Sequence, residues 1–219
     1  MSAHGIFKAM GGKPRTFKTI NDKGEIVELP YRPRQESDFE PTPPEPTRSF
    51  INAELAYILD YDLIIEPCAG DGRMAFDLGD CTHLPVFMSD LVDRGAGARI
   101  FDFYNMILRP RNSCLITNPP FDQLHGDAPL LRHAFETLRF PYVALLLPWN
   151  WLGNKQKAQL WLDHPPSRVY LMRWRIDWTG QGSNPALNAW YVWDRRHHPE
   201  KTILDMIDKR DDPRQGYLL

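Results

Sequence analysis

Short apolar runs alternate along this chain with stretches of helical periodicity, and that alternation limits the folds open to it. Asp62–Glu66, 85–89, 113–118 and Tyr142–Leu147 read as strands, several of them apolar enough to be buried on both faces. A short helix is predicted near 73–78 and another at about 154–162. A third, at about 128–139, has Asp127 as N-cap, Pro129 in its first turn and the stripe Leu130, Leu131, Ala134, Phe135 and Leu138. A helix starting at Thr47 or Ser49 precedes the first strand, with Phe50, Ile51, Leu55, Ile58 and Leu59 as its apolar face. Strands alternating with helices predict an α/β fold, with a mostly parallel sheet covered on both faces. Two late strands, roughly 168–174 and 188–194, lie across a Gly/Asn-rich segment, 179–186, and imply an antiparallel edge.

Residues 1–40 read as an appendage with a β-hairpin, 17–20 and 25–29, around the turn Asn21-Asp22-Lys23-Gly24. Prolines at 41, 43, 44 and 46 then suggest an extended spacer. The main domain is expected over 41–195. A tail, 196–219, is expected to begin with a short helix docked by Ile203, Met206 and Ile207.

Two turns carry candidate chemistry. Ser113–Thr117 runs into Asn118-Pro119-Pro120-Phe121. The Asn118 amide oxygen and a backbone carbonyl can accept two N–H bonds from a planar amine, and Phe121 can stack on the ring bearing it. The prolines fix the turn so that its carbonyls point in set directions. Alone, the tetrapeptide could equally be a Pro-rich turn that closes a strand. The second turn, Pro67-Cys68-Ala69-Gly70-Asp71-Gly72-Arg73-Met74, follows a strand ending in the acid Glu66. Glycines there allow a nucleoside to approach the backbone. The turn is neither G-x-G-x-x-G nor a P-loop, so NAD and ATP are poor candidates.

Together the two segments resemble the class I AdoMet-dependent methyltransferases, in particular compact, phage- or prophage-type DNA adenine-N6 methyltransferases without a large target-recognition domain. Glu66–Met74 is similar to their AdoMet-binding motif, and Asn118–Phe121 to the catalytic tetrapeptide of amino-methyltransferases. Further similar segments are the Thr-Pro stretch 40–47, Val86–Leu91 as the second strand with its terminal acid, and Asn188–Trp193 as the closing strand. The resemblance implies a Rossmann-like, seven-stranded sheet. It implies S-adenosyl-L-methionine as cofactor, with Ala69, Gly70 and Gly72 close to it, Glu66 and Thr42 near its methionine end, and Asp90 on its ribose. Asp102 and Phe103 would meet its adenine. Asn118, Pro119, Pro120 and Phe121 would be the catalytic set, acting on an adenine flipped out of double-stranded DNA.

Trp149 and Trp151, beyond Pro148, are candidates for the base pocket, and Trp178 for a lid or strand contact. Arg173 and Arg175, like Arg32 and Arg34, are candidates for phosphate contact. Other basic groups, Lys8/Lys13/Arg15/Lys18, Arg109/Arg111 and Arg168, read as solvated. With most of the chain given to the core, relaxed or short sequence specificity is expected. The same tetrapeptide type also serves RNA guanine-N2 and adenine-N6 methyltransferases and protein glutamine methyltransferases, and an inactive DNA-binding accessory protein is a further alternative.

The net charge of −2 over 219 residues argues against a broad basic surface. Three cysteines without paired spacing suggest neither a disulfide framework nor a zinc site, and point to a cytoplasmic setting, that of a bacterial host if the chain is phage-encoded. His125, His133, His164, His197 and His198 also lack ligand spacing, so no metal is expected. No run is long and apolar enough to predict a membrane span.

Overall fold

The computed structural model describes residues 41–124, 128–153, 155–178 and 186–209, together with the backbone of 16–20 and 26–30. Expectations for Lys8, Lys13, Arg15, Arg32, Arg34, His125, Asp127, 179–185 and 210–219 lie outside the described residues, as do those for the side chains of Lys18 and Phe121.

β1 (Thr16–Ile20) and β2 (Ile26–Pro30) form an antiparallel hairpin. The main sheet is built from β3 (Leu63–Glu66), β4 (Val86–Asp90), β5 (Arg99–Ile100), β6 (Ser113–Thr117), β7 (Tyr142–Pro148), β8 (Arg168–Met172), β9 (Asn188–Asp194) and β10 (Ile203–Ile207). Their spatial order is β10-β8-β9-β7-β6-β3-β4-β5. Among the described residues it therefore has eight strands rather than the expected seven. β9 is antiparallel to both β7 and β8, but it lies between them instead of at an edge. The edge beyond β8 is β10, which runs parallel to β8. This corrects the expected tail helix. Ile203, Met206 and Ile207 satisfy a helical spacing, but the open side of β8 offers these residues a ladder of backbone partners.

Period-2 alternation sends neighbouring side chains to opposite faces. Ile64, Cys114, Ile116, Ala144, Leu146, Trp190 and Val192 enter one core, beneath α1 (Pro44–Ile58) and α2 (Arg73–Thr82). Ile65, Leu115, Val143, Leu145, Tyr191 and Trp193 enter the other. There they meet α3 (Pro129–Arg132), the π turn His133–Thr137 that continues it, and Leu160 of α4 (Ala158–Asp163). The N-cap of α3 is Ala128, with φ 52°.

α1 begins at Pro44, earlier than the expected Thr47. Prolines in a first turn lack only N–H groups that the helix leaves unpaired anyway, so the supposed spacer enters the helix. Two contacts hold this end. Phe50 stacks on Trp190 at 4.1 Å, and Trp190 Nε1–H donates to the Pro46 carbonyl at 3.0 Å.

The other end of α1 carries Glu54, which is fully buried. Its carboxylate accepts from Arg168 at 2.5 and 2.9 Å, from Tyr142 Oη at 2.9 Å and from Tyr170 Oη at 2.5 Å. Arg168 also donates to Asp194 at 2.8 Å and lies over the Tyr57 ring at 4.0 Å. Burial and the Glu54 charge both push the Tyr142 and Tyr170 hydroxyls above their ordinary range, so these groups stay protonated and donate. Arg168, expected as part of a solvated group, is thus a core residue.

Removing one partner of a buried ion pair strands the other charge. Arg168→Met is therefore expected to destabilise the protein by about 3–5 kcal/mol, measured by urea unfolding. A loss below about 1 kcal/mol would mean that the cluster does not anchor α1.

Candidate functional site

The order of strands reverses at β3, which pairs with β4 on one side and β6 on the other. In a parallel sheet such a reversal opens a crevice beyond the carboxyl ends of the strands. Glu66 ends β3, Asp90 ends β4, and Asn118 lies one residue past β6. All three line one cleft with Thr42, Ala69, Gly70, Pro119, Pro120 and Trp178.

The turn after β3 is tied to the end of β4. Ala69 N–H donates to the Ser89 carbonyl at 2.9 Å, and Gly70 N–H donates to Asp90 Oδ2 at 2.8 Å. Asp90 Oδ1 accepts from Val92 N–H at 3.1 Å. These two bonds orient the carboxylate, and each oxygen keeps a lone pair for a hydroxyl donor. No helix follows Asp90, so it is not a helix cap. Gly72 stands just behind the cleft wall, with φ 81°. A Cβ there would lie 2.9 Å from Cε2 of the half-exposed Phe76 ring and 3.0 Å from Ala96 Cβ, and the positive φ itself favours glycine.

Glu66 is almost fully buried. Its Oε1 accepts from Thr117 Oγ1 at 3.3 Å, and its Oε2 has no protein partner. Burial pushes its carboxyl well above the ordinary range; the Thr117 hydrogen bond opposes this and the nearby Asp90 charge adds to it. A buried polar atom without a partner is costly unless a ligand or water meets it. Asn118 Nδ2–H donates to Thr42 Oγ1 at 3.1 Å, leaving Oδ1 as the acceptor the amide can offer.

The remaining expected residues are distributed differently. Asp102 caps the 3-10 turn Phe103–Asn105 by accepting from Tyr104 N–H at 2.9 Å. Phe103 is buried edge-on against His133 at 5.1 Å. Trp151 is buried against Tyr191, with Lys157 Nζ 5.2 Å from its ring. Trp149 is partly exposed, and its carbonyl accepts from Tyr191 Oη at 2.6 Å. Arg173 and Arg175 are exposed, and Arg173 lies 3.8 Å from Asp208. None of these six lines the cleft. Met74, Leu91, Val92 and Arg94 do, without having been singled out. Met74 lies two residues past Gly72, and the other three fall within four residues after Asp90, so nearness to the acid was the available signal.

The donor set fits S-adenosylmethionine. Bare backbone at Ala69–Gly70 permits close approach, Asp90 can accept from vicinal hydroxyls, and Glu66 Oε2, otherwise without a partner, can take a hydrogen bond from the ligand. Among the described residues, no group of three or more His, Cys, Asp or Glu could hold a metal, and no helix is long and apolar enough to cross a membrane.

Because burial raises the Glu66 carboxyl, the native state holds its proton at pH values where the unfolded chain has released it. Its favourable contribution is therefore complete below the ordinary carboxylate range and is lost as pH rises toward the raised value. Glu66→Gln, which carries no ionisable proton, should gain stability relative to wild type as pH rises above the ordinary carboxylate range. Parallel urea melts check this, and a pH-independent difference would contradict it.

No protein-family profile matches the chain, and no curated protein does. Solved structures do. A modification subunit of a provisionally assigned type I restriction enzyme from Vibrio vulnificus YJ016 aligns with TM-score 0.53 and 11% identity, over 78% of this chain and 47% of that one. A provisionally assigned class I S-adenosylmethionine-dependent methyltransferase from Listeria monocytogenes aligns with TM-score 0.51 and 12% identity, over 75% and 65%. The chain thus spans about half to two thirds of those proteins. Its architecture is the Rossmann-like α/β fold of class I methyltransferases.

Proposed function

We propose that the protein transfers a methyl group from S-adenosylmethionine to the exocyclic N6 amine of adenine in DNA, flipping the base and reading little sequence around it. One observation carries this reading: Asn118, with its amide oxygen left as an acceptor, shares a cleft with the Gly70–Asp90 nucleoside cradle. That the fold is shared with a restriction-enzyme modification subunit supports a nucleic-acid acceptor.

When bound, S-adenosylmethionine supplies a methyl carbon already made electrophilic by its sulfonium. Glu66, Ala69, Gly70 and Asp90, which line the cleft, would hold that ligand. Asn118 Oδ1 and the Pro119 carbonyl accept the two N–H groups of the amine, drawing its lone pair out of conjugation and stabilising the charge that develops. The amine proton released by the transfer would leave to water. Trp178, which lines the cleft, would offer the base an apolar surface, a contact worth roughly 1–3 kcal/mol per base on comparable platforms.

Asn118→Ala should retain S-adenosylmethionine affinity while kcat falls about 100-fold or more. Asp90→Ala should weaken that affinity by about 10- to 100-fold, since hydrogen bonds to a charged group are lost. Calorimetry and nucleoside mass spectrometry, after incubation with DNA and RNA, measure both. Methyl groups found only on RNA or on protein would move the acceptor to that polymer. A sharp preference for one long site in an oligonucleotide panel would contradict the relaxed specificity.

A further inference from the structure

We infer that Thr42 is a positioning residue for the amine clamp: its hydroxyl fixes which end of the Asn118 amide faces the acceptor. This rests on the methyl-transfer reading and adds to it a role that contact with the cofactor does not supply.

The amide of asparagine has two ends of opposite character, and rotation about its last bond is broad and roughly two-fold. Turned one way, Asn118 presents a carbonyl oxygen to an incoming N–H. Turned the other way, it presents N–H to N–H, and the clamp repels its substrate. Something must therefore distinguish the two ends. The contact that does so is Nδ2–H to Thr42 Oγ1 at 3.1 Å, across 76 positions of sequence. A hydroxyl can also donate to an amide oxygen, so the contact selects this orientation when the Thr42 proton is taken up by a polar group in the cleft.

Thr42 is itself held firmly. It is 7% exposed. It precedes Pro43, and a residue before proline is confined to extended backbone. Pro43 caps α1 with φ −66° and ψ 163°, so the chain turns directly from Thr42 into the helix. The first turns of that helix are pinned by the Trp190–Pro46 hydrogen bond and by an ion pair at 2.8 Å between Arg48 and Asp77 of α2. A β-branched side chain on such a backbone has few rotamers. While accepting from Asn118, the Thr42 hydroxyl still has its own proton to donate into the cleft it lines.

The test compares Thr42→Val, which keeps the shape and removes the acceptor, with Thr42→Ser, which keeps the hydroxyl. Wild type and both variants are assayed for kcat on DNA and for S-adenosylmethionine affinity by calorimetry. The Asn118 side-chain amide is also followed by ¹⁵N–¹H NMR of the free protein and assigned through its loss in Asn118→Ala. In Thr42→Val, kcat should fall roughly tenfold, the worth of one hydrogen bond to a reacting group, with cofactor affinity changing less. The amide resonance should shift or broaden. Thr42→Ser should restore both. An active wild type whose Thr42→Val variant keeps its kcat would overturn the inference, as would a loss confined to cofactor affinity. An amide resonance indifferent to Thr42→Val would overturn it whatever the reaction. A wild type inactive on every acceptor, with the resonance still responsive, would instead defeat the methyl-transfer reading and leave the Thr42–Asn118 contact standing.

Discussion

A carboxylate sealed from water decides where α1 lies. Glu54 can stay buried only if its charge is met, and Arg168, Tyr142 and Tyr170 meet it from three points on two strands. The helix cannot slide along or roll on the sheet without stranding that charge, and the cost of doing so far exceeds that of losing one apolar contact. The cluster sits at the starts of β7 and β8 and the end of β9, at the opposite rim from the cleft. α1 works as a strut between the rims: one end is set by charge, and the other delivers Thr42 to Asn118.

The strands were legible because burial on both faces leaves short apolar runs, and because glycine and proline mark their ends. Ile203–Ile207 was misread because five residues cannot separate a helical stripe from a strand; an unpaired neighbour, β8, decided it. The start of α1 was misread because a proline that would break a helix interior is harmless in its first turn. Arg168 could not be recognised as buried, because its partners come from residues 54 and 194, far from it in sequence.

The site divides in the same way. Glu66, Gly70, Asp90 and Asn118 sit at or next to strand ends, so their meeting in one cleft was legible in the local sequence. Trp151 and Phe103 looked equally well placed, but each found a packing partner and turned away from the cleft. Aromatic rings near a strand end bury themselves unless something holds them out, so proximity in sequence says little about which way they face.

The place of β9 affects how the sheet can be assembled. β3, β4, β5 and β6 neighbour one another in space and are complete in the first 117 residues. β8 has no such neighbour: both strands it pairs with, β9 and β10, come later in the chain. On a growing chain, the strands that border the cleft can therefore pair from what has already emerged, while β8 waits with both edges open. Glu54 waits with it, since the arginine that satisfies it is carried on that strand. The half of the molecule that borders the cleft can thus pair first, and the half that locks α1 in place closes last.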